Sequence, residues 1–332
     1  MISPAASTIV AADFRPLPLL GNAHIQTLLG NMLPVPELSH PTREHIVELA
    51  DGDRLVLHDS VPKGWKQGDR IALLVHGLGG SHRSRHLSSL ARLLLPRGLR
   101  VVRMDLRGTG RGLPLARYAY HGGCSDDVRA AAAAIQGWSP SSPLILIGVS
   151  LGGNIALKLA GEMDEHPVPT LERVAALAPP IDLTLCSDRL SQPRCRLYER
   201  HFLRDVIDQA RRRQRYFPEL PPLRLPRRMT MRLFDELYTA PRRGFADALD
   251  YYRRASALPL LPHVTVPTLI LTARDDPFIA VEPFDNLRLP DHMQVRILHR
   301  GGHLGFVGPD GAGGIRWAER RVVDWVTAGK LS

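Results

Sequence analysis

The chain has three cysteines, Cys124, Cys186 and Cys195, and no C-x-x-C spacing. An odd count without paired spacing argues against a disulfide framework and a zinc finger. No apolar run approaches the ~20 residues that a membrane-spanning helix needs. The opening stretch MISPAASTIVAADFRPLPLL has no basic segment leading into a clean apolar one, because Asp13, Pro16 and Pro18 interrupt it. No signal peptide is expected. Lysine is scarce, so arginine supplies almost all of the positive charge behind a formal +10. No tract interleaves basic residues with aromatics, and no specific nucleic-acid binding is expected. The excess charge leaves room for anionic or lipid-surface substrates. These absences set the expectation of a soluble, cytoplasmic protein in a reducing compartment.

What remains is ordinary globular composition, 44% hydrophobic and 23% charged over 332 residues, enough for one large domain with an insertion or for two. REHIVELADGDRLVLHDSV alternates apolar and polar residues around Asp51-Gly52 and reads as an antiparallel hairpin. Short apolar runs without alternation follow at 70–75, 99–104, 143–149, 173–178, 267–273 and 293–298, the pattern of strands buried on both faces. Helical patterns lie between several of them. One ends at Gly98, and one begins at SDDVRAAAAAIQGW with Ser125 as its expected N-cap. The alternation predicts an α/β fold with a mostly parallel sheet, helices on both faces and a site beyond the C-terminal strand ends. Residues 181–262 break the pattern with Arg-rich helical stretches and a Pro-rich joint. They read as a helical cap inserted into a core formed by 1–180 and 263–332.

The sharpest motif is GVSLG, Gly148 to Gly152, after a predicted strand and before a predicted helix. G-x-S-x-G in that context is a nucleophile elbow: the strand turns sharply into the helix and projects the Ser150 hydroxyl from a strained apex. The N–H of Leu151 then sits at a helix N-terminus, where the dipole favours negative charge. LLVHGLGGS (73–81) is Gly-rich but matches no phosphate-binding pattern, and His76 there reads as structural. HRGGHLGF (299–306) places His303 in a glycine-flanked loop after the last predicted strand, giving the chain order Ser, acid, His. TARDDPFIA (272–280) ends the intervening strand with two adjacent carboxylates, Asp275 and Asp276. His82 and His86, four apart, suggest one helix face without a third metal ligand. In DLRGTG (105–110), Asp105 and Arg107 suggest a mutual ion pair. Cys124 reads as packing.

Together GNAHIQTL (21–28), HGLGGS (76–81), DLRGTG, YHGG (120–123), GVSLGGN (148–154), DDPF (275–278) and GGHLGF (301–306) resemble the YheT-like branch of the α/β-hydrolase superfamily. That branch includes yeast medium-chain fatty-acid ethyl ester synthase/esterases and animal membrane-associated lipid hydrolases. The resemblance implies an α/β-hydrolase fold and a serine esterase with Ser150 as nucleophile, His303 as base and an aspartate of DDPF as orienter. Such strands commonly end in a small residue, two variable positions and the acid. Ala273 in the small position makes Asp276 the acid and turns Asp275 toward solvent or a backbone donor. The loop after the HGLGGS strand implies Leu78 as the second oxyanion N–H beside Leu151. The expected partner is a small-molecule ester or lipid-like substrate, with no metal or organic cofactor implied. Acyl transfer to an alcohol would use the same acyl-enzyme, and a non-catalytic anion-binding role for the Arg-rich cap is the other alternative.

Overall fold

Every apolar run singled out above is a strand. The computed structural model describes residues 8–9, 14–285 and 287–329. Its strands are β1 (Thr8–Ile9), β2 (Arg43–Glu48), β3 (Arg54–Ser60), β4 (Ile71–Val75), β5 (Arg100–Asp105), β6 (Leu144–Val149), β7 (Leu171–Leu177), β8 (Thr268–Ala273) and β9 (Met293–Leu298). They form one nine-stranded sheet in the order β1-β9-β8-β7-β6-β4-β5-β3-β2. Only β3 runs antiparallel to its neighbours β2 and β5. Strands β4 to β9 pair in parallel, as continuous two-face burial requires. The edge strand β1 falls in a stretch whose sequence carries no strand pattern.

The helices are α1 (Ala23–Met32), α2 (Arg85–Leu94), α3 (Ser125–Trp138), α4 (Leu151–Gly161), α5 (Leu183–Leu190), α6 (Arg196–Tyr216), α7 (Met231–Phe234), α8 (Ala240–Arg242), α9 (Ala248–Ala255) and α10 (Trp317–Thr327). Successive strand side chains point to opposite faces. Leu73 and Val75 join one buried cluster with Val128 and Ile135 of α3 and Ile155 of α4. Ala72 and Leu74 join another with Leu87 and Leu90 of α2 and Val322 of α10. Both faces are therefore covered, and no helix among the described residues is long and apolar enough to cross a membrane.

Two helix readings need correction. Ser125 is the first helical residue, and Cys124 occupies the capping position without a side-chain cap bond. His82 and His86 do not share a helix face, because α2 starts only at Arg85. Between β7 and β8 the described residues hold no strand. Leu203, Val206, Ala210, Met231, Phe234 and Tyr238 form a small apolar cluster there. A π-helical turn, Asp235–Thr239, joins α7 to α8. Cys186 and Cys195 pack against Phe278, Ile279 and Ala280, so this helical segment lies on the loop that follows β8.

Candidate active site

Ser150 stands at the junction of β6 and α4 with φ 52° and ψ −122°. This positive φ is strained for a side-chain-bearing residue and persists only where the surroundings enforce it. The flanking glycines make the turn sterically feasible. A Cβ at Gly148 would lie 2.2 Å from the Gly152 carbonyl oxygen, and one at Gly152 would lie 2.5 Å from that of His76. The elbow therefore also packs closely on the end of β4.

The three residues singled out for chemistry converge on this apex from the ends of three strands. His303 Nε2 lies 3.0 Å from Ser150 Oγ, and His303 Nδ1 lies 2.8 Å from Asp276 Oδ2. Asp276 and His303 are both buried. Asp276 Oδ1 accepts the N–H groups of Phe278 at 3.1 Å and Ile279 at 2.8 Å. That leaves Oδ2 aimed at the imidazole. The Phe278 ring packs on His303 with centroids 4.3 Å apart. With Nδ1 donating to the carboxylate, Nε2 presents its lone pair to the serine hydroxyl. Asp275 turns away: its Oδ1 accepts the Gly302 N–H at 2.9 Å. Burial, with the neighbouring Asp276 charge adding to it, holds the Asp275 carboxyl above its ordinary value.

The N–H groups of Leu78 and Leu151 have no acceptor among the described residues. Leu78 follows Gly77, whose position is within contact of Ser150: a Cβ there would be 3.0 Å from the Ser150 Cβ. Two free backbone donors near one nucleophile suit a developing oxyanion.

GNAHIQTL, one of the stretches that carry the family resemblance, has a physical role in the structure. Helix α1 clamps the loop carrying His303. Thr27 Oγ1 accepts the His303 N–H at 2.9 Å. Gln26 accepts the Val307 N–H at 2.7 Å through Oε1 and donates to the Val307 and Leu20 carbonyls through Nε2. Gly302 needs its glycine, because it adopts φ 56° and a Cβ would lie 2.3 Å from the Ala23 carbonyl oxygen. Asn154, in the first turn of α4, was also missed. Its side chain bonds the carbonyls of Gly122 and Ala255 and the N–H of Ala257, tying the elbow helix to YHGG and the end of α9.

Other polar residues resolve into structural networks. His76 is buried and bridges its own loop to DLRGTG: Nδ1 reaches the Gly77 carbonyl at 2.7 Å, and Nε2 accepts the Leu106 N–H at 3.2 Å. Burial lowers its pKa, which favours the neutral ring. Asp105 and Arg107 do not pair with each other. Arg107 binds Asp127, Asp51 and Asp53, while Asp105 takes His58 Nε2 and His82 Nδ1, both at 2.9 Å. The His58 and His82 rings stack at 3.4 Å and 18°, and a nitrogen of each lies within 3.0 Å of Asp105 Oδ2. That suits two hydrogen bonds to one carboxylate better than a metal ion. His86 pairs with Glu319. Burial pushes the Cys124 thiol up to about 12, consistent with packing alone.

Ser150 and His303 open onto a cleft of about 850 Å³, also lined by Leu28, Leu78, Leu197, Phe202 and Leu304. A second groove, of about 740 Å³, lies at the opposite strand ends and has no Ser, Cys or His in its lining. The cleft combines one reactive hydroxyl with a mainly apolar wall, the make-up of a site for a small apolar ligand.

Residues 72–312 match the model of the alpha/beta hydrolase family. The chain is 32% identical over 322 residues to the protein named "Putative esterase YheT" of Escherichia coli (strain K12), covering 96% of this chain and 94% of that one. It is 26% identical to medium-chain fatty acid ethyl ester synthase/esterase 2 of Saccharomyces cerevisiae, over 77% of this chain and 62% of the yeast protein. Esterase Pf2001 of Pyrococcus furiosus superposes with a TM-score of 0.58 at 18% identity, covering 94% of this chain and 96% of that one.

Proposed function

The chain belongs to the alpha/beta hydrolase family, and from that premise we propose a serine esterase that cleaves carboxylic esters through an acyl-enzyme on Ser150. The observation that carries this reading is the unbroken chain of contacts from Asp276 through His303 to Ser150 at the mouth of an apolar cleft. His303 takes the Ser150 proton as Oγ attacks the ester carbonyl. Asp276 holds the imidazole tautomer and stabilises the imidazolium. The N–H groups of Leu78 and Leu151 receive the oxyanion. His303 returns the proton to the leaving alcohol, and water then attacks the acyl-enzyme with the roles reversed. None of these steps calls for a metal or organic cofactor. Short- to medium-chain acyl or lipid-like esters suit the apolar walls supplied by Leu28, Leu197, Phe202 and Leu304. The helical segment 181–262 acts as a cap over this cleft, with core segments 1–180 and 263–332 beneath it.

An ester series of increasing acyl length tests the reading. Turnover should rise to an optimum within the short- to medium-chain range, and an undetectable rate across the whole series would remove the assignment. The yeast relative is named as both a synthase and an esterase, which favours one second reading: alcohol as an alternative acyl acceptor. Product analysis with added ethanol separates the two, because transfer yields ethyl ester at the expense of free acid.

The hold of α1 on the base gives a further expectation. Thr27→Val removes the acceptor of the His303 N–H. It should lower kcat about 10- to 100-fold, as small misplacements of catalytic groups do. KM should change little, and Thr27→Ser should restore most of the rate. A Thr27→Val enzyme with unchanged kcat would show that the loop holds its base without this bond.

A further inference from the structure

Beside the cleft, lined by Leu78 and Leu151, lies a smaller chamber of about 40 Å³. Leu78 lines both this chamber and the cleft of Ser150, so the two spaces adjoin at this residue. The polar lining is unbalanced. Arg213, on α6, is 2% exposed and has the largest fully buried side chain among the described residues. Its Nη1 donates to the Tyr238 hydroxyl at 3.1 Å and its Nη2 to the Gly108 carbonyl at 2.8 Å. Its Nε has no partner, and the guanidinium forms no ion pair among the described residues. Buried arginines are ordinarily paired with an anion.

The other groups add to the surplus of donors. The Tyr238 hydroxyl oxygen accepts from Arg213, Tyr120 accepts the Gly79 N–H at 2.7 Å, and Tyr251 accepts the Gly122 N–H at 2.9 Å. Among the described residues none of these three hydroxyl hydrogens has an acceptor. The carboxylate in the lining is Asp235, and both its oxygens are engaged, by Thr239 at 2.7 Å and Tyr252 at 2.7 Å. Burial raises its carboxyl to about 6, so it is mostly ionised at neutral pH, yet its two oxygens are spent on Thr239 and Tyr252 and make no ion pair with Arg213. One cation and three hydroxyl donors, against one carboxylate already engaged, therefore line a space large enough for a group a few atoms in size.

We infer that this chamber is a carboxylate subsite of the esterase, holding the free carboxylate of an ester that carries one, as in the half-ester of a dicarboxylic acid. The inference rests on the esterase reading above. It also gives Tyr120 a second role, since its hydroxyl meets both the chamber and the Gly79 N–H beside Leu78. An occupied chamber would thus brace the loop that supplies an oxyanion donor.

The test compares kcat/KM for the monoethyl esters of succinate, glutarate and adipate with neutral ethyl esters of matching length. At least one half-ester should exceed its neutral counterpart by roughly 10- to 100-fold, the range of hydrogen bonds to charged groups. That ratio should fall toward one in Arg213→Met and several-fold in Tyr238→Phe. Thermal melts establish that each variant is folded. Tyr238→Phe carries the test if Arg213→Met does not fold. In a second arm, sodium acetate is titrated calorimetrically into wild type and Tyr238→Phe. Acetate binding that Tyr238→Phe weakens, without any half-ester preference, assigns the chamber to a free carboxylate. Neither preference nor acetate binding in folded wild type overturns the subsite while leaving the esterase intact. If no ester at all is turned over, the esterase reading fails, and the acetate arm alone judges the chamber.

Discussion

Ser150→Ala is expected to abolish covalent labelling by a fluorophosphonate probe and to lower ester turnover by at least about 10⁴-fold, the scale on which removal of an activated serine acts. The residue loses the only atom at this apex that can form the acyl bond, while His303 and the two free N–H groups remain. The protein should stay folded, because the strained φ of 52° is imposed by packing around Gly148 and Gly152 and not by the hydroxyl. Ser150→Gly gives the stability counterpart: glycine adopts positive φ without strain, so this variant should be equally inactive yet more stable than Ser150→Ala by about 1 kcal/mol. Full probe labelling of Ser150→Ala would place the nucleophile elsewhere.

The neighbouring aspartates should separate almost as sharply. Asp276→Asn is expected to lower kcat by about 10⁴-fold with KM nearly unchanged. An amide that donates to His303 Nδ1 forces the proton onto Nε2, which then cannot accept from Ser150. Asp275→Asn keeps an amide oxygen for the Gly302 N–H and should cost less than about tenfold, since its contact with the base runs only through that backbone bond. The two variants also differ in pH response. The Asp275 carboxyl is raised in the folded state, so its ionisation opposes folding as pH climbs through that raised value. Asn at position 275 should therefore match wild type in stability at low pH and equal or exceed it at neutral pH. A larger loss of turnover from Asp275→Asn than from Asp276→Asn would reverse the assignment.

The strands were legible because burial on both faces favours short runs dominated by apolar residues, a signal that needs no knowledge of neighbours. Ser150 was legible because a strained strand-to-helix turn demands glycines at fixed short spacing. Ser125 was misplaced by one position, within the ordinary uncertainty of helix ends. Asp105 and Arg107 were paired wrongly because the sequence shows only their closeness along the chain. Their actual partners, His58, His82, Asp51, Asp53 and Asp127, arrive from other elements. The same limit hid the clamp of α1 on the His303 loop, whose bonds link positions 276 and 281 residues apart.

The sequence by itself determined the class of fold, the elbow at Ser150 and the chain order of nucleophile, acid and base, since these rest on backbone sterics and periodicities that act over a few residues. Only the tertiary structure decided which aspartate faces His303, what holds that histidine in place and which groups meet Arg213. Each of these is a distance of about three ångströms between atoms far apart in the chain, set by strand register and helix packing.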